Sequence, residues 1–289
     1  MAKGKSLHIG VNSVLSNKFD GSWSGNGLRR CEADAKAMYE IAKKAGFEAQ
    51  TILTTQATLN RVRVLIKSIL SSLVPGDIFF LSFSGHGAKR EDGPGVLPLD
   101  EDDGFDEAWV LYDGQLVDDE IFTLLAPYPG VRIVVLADSC HSGTSVKNIV
   151  FTETTSKDLV EESKEMPRRS FVVGSKEVPP GVVRESIQRN RDYFKKIQKT
   201  FPDGKNADML SEVLLIAACQ DNQVTFEGPK YGIFTGHVIN VWNNGNFANY
   251  IDFFKLLNAV CATSRRTPRY FIPPGCNTVF DAKDKVLSI

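Results

Sequence analysis

Two near-continuous apolar runs, at residues 78–87 and 131–140, constrain the fold more than any other feature of the sequence. Such runs are typical of strands that are covered on both faces, as they are in parallel sheets. The first half of the chain also contains strand patterns at 6–15 and 49–55 and helical patterns at 31–47, 58–73 and 118–128. This alternation predicts an α/β fold, an α/β/α sandwich whose central sheet is mostly parallel.

The composition changes where the first half ends. Residues 145–210 are rich in Glu, Lys, Ser and Thr, include one charged helical pattern, and predict a mobile insertion. A strand pattern returns at 211–220, and helical patterns follow it. We therefore interpret residues 1–289 as a single domain in which this insertion separates two halves, 1–144 and 211–289.

Charge and cysteine usage argue against several classes of function. The formal net charge is −1 and the charged residues are spread along the chain, so we expect neither nucleic acid nor an anionic membrane as a partner. No segment is apolar enough for a signal peptide or a membrane span, which predicts a cytoplasmic protein. Five widely spaced cysteines without a CxxC pair argue against a disulfide framework and against a structural zinc site.

Cys140 and His86 are the candidate catalytic residues, because each lies at the end of one of the two apolar runs. A cysteine at a strand end is placed to act as a nucleophile, and a histidine at the neighbouring strand end is placed to exchange its proton. The backbone N–H groups of Gly87 and Cys140 would form the oxyanion hole. Taken singly, such a cysteine is more often a buried structural thiol and such a histidine a turn residue. The order His then Cys, 54 residues apart, favours catalysis, because caspases have a spacing of about 50.

The motifs SGHG, at 84–87, and DSCHSG, at 138–143, resemble those of the metacaspases and of their bacterial relatives, the orthocaspases. The similarity is strong over residues 6–144 and moderate over 211–245, through GLRRCEADA, DGFDEAWVLYD and LVDDEIF in the first part and LLIAACQDNQ and YGIFTGHV in the second. It implies a caspase-like α/β/α sandwich with a large-subunit-like and a small-subunit-like half. It also implies a monomeric cysteine endopeptidase that needs no organic cofactor and cuts polypeptides after Arg or Lys.

An acidic pocket is expected for such substrates. Asp138 lies two residues before the nucleophile, and a carboxylate there would bind a guanidinium or an ammonium group through charge-assisted hydrogen bonds. The resemblance places Asp34, Cys31 and Ser84 in the same pocket, S1, which receives the residue before the cut bond (P1). The alternatives are that Asp34 is an exposed acid of a first helical turn and that Cys31 is a core thiol.

A run of acids precedes the second apolar strand. Ten carboxylates lie between Asp100 and Glu120, an arrangement that a hard cation could neutralise with oxygen ligands. The resemblance assigns Asp106, Asp118 and Asp119 to calcium, which would stimulate the peptidase. One ligand of the family just downstream of the nucleophile is missing, since that stretch reads TSVKN. The alternative is a solvated acidic loop.

The insertion contains many basic residues. A polar connector inside an enzyme that cuts after Arg or Lys is a natural substrate of that enzyme, so we expect self-cleavage within 145–210. The candidate positions include Lys147, Lys157, Lys164, Arg168, Arg169, Lys176 and Arg184.

Three rival interpretations stay open at this stage. The chain could be a caspase-like interaction module in which catalysis has become dispensable, although both motifs are intact. It could be a caspase-like peptidase with a different P1 preference. It could also be a doubly wound domain that binds an anion in its Gly-rich turns, although neither a GxGxxG nor a GxxxxGK[ST] loop is present.

Overall fold

The computed structural model describes residues 2–25, 27–91, 105–140, 174–200, 208–219 and 223–289. Its strands are β1 (Gly4–Gly10), β2 (Glu48–Leu53), β3 (Ile78–Ser84), β4 (Gly87–Glu91), β5 (Phe105–Leu111), β6 (Gly114–Val117), β7 (Arg132–Asp138), β8 (Glu212–Ala217) and β9 (Arg269–Phe271). Its α-helices are α1 (Cys31–Lys44), α2 (Leu59–Leu70), α3 (Asp118–Leu125), α4 (Pro180–Arg189), α5 (Arg191–Thr200), α6 (Ile233–Val241), α7 (Tyr250–Thr263) and α8 (Phe280–Lys283). No helix in these ranges is long and apolar enough to cross a membrane.

The main sheet has the strand order β2-β1-β3-β7-β8-β9. All its neighbours pair in parallel except β9, which runs antiparallel to β8. Both apolar runs of the sequence become adjacent central strands, β3 and β7, with Ser84 beside Asp138 at their carboxyl ends. The prediction that these two strand ends are neighbours is confirmed.

Helices cover both faces of this sheet. Along β3, Phe79, Leu81 and Phe83 belong to one core cluster and Ile78 and Phe80 to the other, as the alternation of side chains in a strand requires. The first cluster includes residues of α2, α3, α4 and α5, and the second includes residues of α1, α6, α7 and α8. The predicted α/β/α sandwich is therefore confirmed.

The helix ends follow local signals in the sequence. Thr58 precedes α2, and its side chain accepts a hydrogen bond from Arg61 N. Gly46 follows α1 with a φ of 91°, a left-handed conformation that glycine adopts without steric cost. Thr58 and Gly46 therefore act as the cap residues that the sequence predicts.

A second, antiparallel sheet, β4-β5-β6, takes its last two strands from the acidic run, for which a solvated loop is the alternative interpretation. In β5 every side chain from Ala108 to Leu111 is buried, and Trp109 stacks on Phe83 of the main sheet at 4.7 Å between ring centroids. The apolar sequence AWVL therefore overrides the acidic residues around it, and the loop interpretation is wrong for 105–111. The predicted strand over 78–87 is also split, because β3 ends at Ser84 and β4 begins at Gly87.

Residues 174–200 of the predicted insertion include two helices, so the charged helical pattern predicted there is confirmed. The helices α4 and α5 are amphipathic and contribute apolar side chains to the first core cluster. These side chains are Val182, Val183, Ile187, Phe194 and Ile197. Residues 145–173 and 201–207 of the predicted insertion lie outside the described residues.

Candidate active site

His86 lies at the junction of the two sheets, between the end of β3 and the start of β4. Its Nε2 is 2.7 Å from the carbonyl oxygen of Gly25, and its ring packs against Trp23 at 4.9 Å between centroids. A carbonyl oxygen only accepts, so Nε2 carries the proton and Nδ1 keeps its lone pair. Nδ1 is buried without a hydrogen-bond partner. The histidine is therefore held with its basic nitrogen free.

Cys140 is buried two residues beyond β7. Thr225 N–H donates to Cys140 Sγ at 3.2 Å, and the thiol points back to the Thr225 carbonyl oxygen at 3.6 Å. The backbones of Cys140 and Gly87 touch so closely that a Cβ on Gly87 would lie 1.6 Å from the Cys140 carbonyl oxygen. Only glycine therefore fits at position 87. This backbone contact places the SGHG motif, which contains His86, directly beside the DSCHSG motif, which contains Cys140.

Burial keeps both members of this pair uncharged in the observed conformation. Burial lowers the pKa of His86 to about 4, and the backbone carbonyl of Gly25 only partly opposes that effect. Burial, followed by the neighbouring Cys219 thiol, raises the pKa of Cys140 well above its usual range. The resting pair near neutral pH is thus a thiol and a neutral imidazole.

A buried cation lies next to them. Lys176 is fully buried, and its Nζ is 2.8 Å from Asp138 Oδ1, an ion pair, and 3.3 Å from Asp34 Oδ2. Nζ also donates to Ser84 Oγ at 3.0 Å and to the Asp138 carbonyl oxygen at 3.1 Å. The predicted pocket residues Asp34, Asp138 and Ser84 therefore converge on one ammonium group.

The predicted Cys31 lies at the same place. Burial raises the pKa of its thiol to about 12, although the Lys176 ammonium opposes that rise. Burial also raises the pKa of Asp34 to about 6, again against the effect of Lys176. Conversely, the two carboxylates more than offset burial and raise the pKa of Lys176 above its ordinary value. The pocket therefore holds two acids for one cation.

The start of α6 orients both carboxylates. Gly232 N–H donates to Asp34 Oδ1 at 2.8 Å, and Thr235 donates to Asp138 Oδ2 from its N–H at 3.0 Å and from its hydroxyl at 2.7 Å. The N-terminus of a helix favours such negative charge. Our sequence reasoning missed Gly232 and Thr235. The signal that could have found them is the helix start GIFT.

The chain around Lys176 is paired like an added strand. Lys176 N–H donates to the Thr225 carbonyl at 3.0 Å, and Glu227 N–H donates to the Gly174 carbonyl at 3.2 Å. Gly87 N–H, a predicted oxyanion-hole donor, binds the Lys176 carbonyl oxygen at 2.9 Å. Residues 174–176 therefore lie across the site in the manner of a bound peptide, with Lys176 in the acidic pocket.

Glu227, which sequence reasoning also missed, lies on the segment that pairs with residues 174–176 and connects that segment to the turn before α1. Its fully buried carboxylate accepts from Arg29 N at 2.8 Å and from Arg30 N at 2.5 Å. The turn leads directly into α1, which carries Cys31 and Asp34. Glu227 thereby fixes one wall of the pocket to the strand that pairs with residues 174–176.

The proposed calcium ligands are not gathered into a site within the described residues. Asp118 and Asp119 are buried at the start of α3, where Asp118 Oδ1 accepts from Asp119 N at 3.1 Å. Asp106 lies on β5, but the structure does not describe its side chain. Glu120 of the same acidic run binds Arg63 instead. Among the described side chains no group of three His, Cys, Asp or Glu is arranged to hold a metal ion.

Among the described residues, the two other histidines and Cys219 have hydrogen-bonding partners. His8 is buried between Ser82 Oγ at 2.8 Å and Ser6 Oγ at 2.9 Å, and His237 contacts Ser264 Oγ at 3.1 Å. Cys219 is buried, and its Sγ donates to the Gln223 carbonyl oxygen. His141 lies outside the described residues.

Comparison with known proteins points to one family. A family model described as the caspase domain matches residues 12–269. Metacaspase-1 of Kluyveromyces lactis is 33% identical over 263 residues, and metacaspase-1 of Schizosaccharomyces pombe is 26% identical over 260 residues. These alignments cover 80% and 81% of this chain, and 56% and 57% of the two yeast proteins. The chain thus matches little more than half the length of these relatives.

A crystal structure of a Geobacter sulfurreducens protein has the same fold over its whole length. It superposes with a TM-score of 0.78 at 34% sequence identity, and the match covers 99% of this chain and 99% of that protein.

Proposed function

The chain belongs to the caspase-domain family, and from that membership we propose that it is a cysteine endopeptidase that cuts polypeptides after Lys or Arg. One observation carries this proposal: Lys176 fills the acidic pocket while its carbonyl oxygen accepts from Gly87 N–H at 2.9 Å. A P1 residue of a substrate needs both contacts at once, one for recognition and one for catalysis.

The charge of the pocket supports basic P1 residues. Asp34 and Asp138 together carry two negative charges when ionised, and they face a single ammonium group. An acidic P1 side chain would add a third carboxylate at this distance, which is strongly unfavourable in a buried site. Arginine would offer more donors to the same two carboxylates.

The mechanism follows from the positions of the two candidate catalytic residues. Cys140 Sγ attacks the P1 carbonyl carbon, and its proton passes to Nδ1 of His86. N–H groups of Gly87 and Cys140 stabilise the oxyanion. The imidazolium then protonates the leaving amine as the C–N bond breaks, and water hydrolyses the thioester, returning its proton through His86.

The bond between Lys176 and Glu177 is the self-cleavage site that this arrangement favours. Cys140 Sγ and Lys176 N–H both bind the Thr225 carbonyl oxygen, so the sulfur is adjacent to the backbone of Lys176. The backbones of Lys176 and Glu177 also lie close enough to His86 to influence its pKa. Before cleavage, the same segment would compete with other substrates. The candidate positions Lys147, Lys157, Lys164, Arg168 and Arg169 lie outside the described residues.

The test is hydrolysis of matched fluorogenic peptides that end in Lys, Arg or Asp. We expect cleavage after Lys and Arg by the parent protein, complete loss in Cys140→Ala, and retention in Cys261→Ala, whose thiol is buried in α7. Cleavage only after Asp would contradict the pocket assignment. Cleavage that survives Cys140→Ala would contradict the nucleophile, and inactivity of every variant would favour a noncatalytic interaction module.

Calcium stimulation is a further part of the proposal and rests on the resemblance. Asp118 and Asp119 supply carboxylate oxygens, the donors that calcium prefers, but calcium takes about six to eight oxygen ligands. The others would have to come from Asp106 and from the undescribed part of the acidic run. Titration of calcium into chelator-treated protein should raise peptide hydrolysis in the parent and not in Asp119→Asn. An equal response of both proteins would remove Asp119 from the ligand set.

A further inference from the structure

We propose that Gly232 determines P1 specificity, because the hydrogen atom in place of its side chain leaves the space that a P1 ammonium or guanidinium group occupies. The inference rests on the proposed cleavage after basic residues, whose S1 pocket it completes. Gly232 is the N-cap residue of α6 and borders the pocket beside Asp138, Lys176 and Asp34.

The backbone at this position does not require glycine. Gly232 has a φ of −55° and a ψ of 146°, values that any L-amino acid adopts. The requirement comes from the contents of the pocket. A Cβ on Gly232 would lie 2.2 Å from Asp138 Oδ2, 2.5 Å from Lys176 Nζ and 2.8 Å from Asp34 Oδ2. All three distances are shorter than the 3.0 Å below which real Cβ contacts essentially never fall.

The two carboxylates are poorly able to move away from such a methyl group. Asp138 Oδ2 is held by both the N–H and the hydroxyl of Thr235. Asp34 is held by Gly232 N–H on one oxygen and by the Ser84 hydroxyl, at 2.7 Å, on the other. The ammonium group is the end of a long, flexible side chain that enters the pocket from the docked segment. A methyl group at position 232 therefore displaces the cation most readily, and it also forces a shift of the carboxylates, because Asp138 Oδ2 would lie only 2.2 Å from it.

The chain offers a matched control one helical turn further on. A Cβ on Gly236 of the same helix would meet nothing within 4 Å. Gly232→Ala and Gly236→Ala thus add the same methyl group at the N-cap of α6 and within α6, once into the pocket and once into open space.

The first measurement uses the Cys140→Ala protein, which cannot process itself, and reads the reactivity of Lys176 towards trace acetic anhydride by mass spectrometry. Lys176 is fully buried in the parent and should resist acetylation. Gly232→Ala should raise its acetylation at least tenfold, while Gly236→Ala leaves it unchanged. Thermal unfolding of each variant verifies that the chain remains folded. Equal acetylation of Lys176 in the two folded alanine variants would overturn the inference.

The second measurement opens the pocket with Lys176→Ala and compares the two glycine variants in that background. Gly232→Ala should lower kcat/KM for Lys and Arg peptides at least a hundredfold, whereas alkylation of Cys140 by iodoacetamide stays unchanged. A loss within threefold of that in Gly236→Ala would overturn the inference. If the Lys176→Ala parent cleaves neither peptide, the proposed peptidase activity fails, and the acetylation result still decides whether Gly232 makes the space for the cation.

Discussion

Two ion pairs in this protein differ in where their cation comes from. In the pocket, Asp34 and Asp138 pair with Lys176, which extends from a strand laid across the site. Between two helices of the first core cluster, Glu120 of α3 pairs with Arg63 of α2, and Arg63 also donates to Tyr193 at 2.7 Å. Both partners of that second pair stand on packed helices.

The difference separates a structural ion pair from a binding site. Arg63 and Glu120 pair one positive charge with one negative charge, and each residue is held in place by the helix to which it belongs. The pocket has two carboxylates for one cation, and in the proposed function that cation belongs to a segment that a substrate peptide would replace. An excess of oriented charge is costly to leave unpaired inside a protein, so it creates affinity for an incoming cation.

Removing one carboxylate of the pocket should have the largest effect. Asp138→Asn leaves the P1 cation with a single buried acid, and truncation of one partner of a buried charge pair costs about 2–5 kcal/mol. We expect kcat/KM for Lys and Arg peptides to fall about a hundredfold to a thousandfold. Steady-state kinetics measure this, with iodoacetamide alkylation of Cys140 as the control for an intact nucleophile. A loss below tenfold would mean that Asp138 does not bind P1.

The same change in the structural pair should act on stability alone. Glu120→Gln leaves Arg63, which is partly exposed, without its counter-charge. After allowance for solvent screening, we expect a loss of about 1–3 kcal/mol in the free energy of unfolding. Urea unfolding measures it, and peptide hydrolysis should stay within threefold of the parent. A changed P1 preference in Glu120→Gln would break the distinction between the two pairs.

Removing the exchangeable cation should open the site. Lys176→Ala should abolish self-cleavage before Glu177 and raise the initial rate on external peptides about tenfold, if about one molecule in ten has an open pocket in the parent. Mass spectrometry measures the self-cleavage, and the rate of peptide hydrolysis measures how accessible the pocket has become. Lys195→Ala, an exposed lysine of α5, is the matched control and should change neither. Unchanged cleavage before Glu177 in Lys176→Ala would exclude Lys176 as P1.

The pH dependence of substrate binding should show the smallest effect. The pKa of Asp34 is raised to about 6, so this carboxyl is ionised above that pH and neutral below it. Binding of a P1 cation is therefore lost as the pH falls, by about threefold between pH 6.5 and pH 5.5 from the ionised fraction alone. Lys176 lowers this pKa, so in Lys176→Ala the midpoint should lie higher.

Iodoacetamide has no P1 side chain, so its reaction with Cys140 reports the catalytic pair without the pocket. The rate of this alkylation should therefore not show the decrease below about pH 6 that we expect for peptide hydrolysis. An identical pH profile for both reactions would assign the step to His86 and Cys140 instead of Asp34.

The sequence predicted the parts of this site that belong to local patterns or to the family motifs. Alternating periods predicted the sandwich, and the two apolar runs placed His86 and Cys140 at neighbouring strand ends. Resemblance added Asp34, Cys31 and Ser84, which the structure brings to Lys176. The loop alternative for the acidic run is wrong for residues 105–111, where buried apolar side chains make a strand, and the composition of the insertion did not indicate that apolar stripes within 174–200 pack on the core.

The sequence by itself determined which side chains are available for catalysis and on which strand ends they stand, because strand and helix periods are local properties. Only the tertiary structure decided that Lys176 enters the pocket, that Gly25 orients His86 and that Gly232 leaves room for a cation. Lys176 is 142 residues from Asp34, and Gly232 is 198 residues from it. Contacts at such separations depend on the packing of whole elements, which no local period in the sequence encodes.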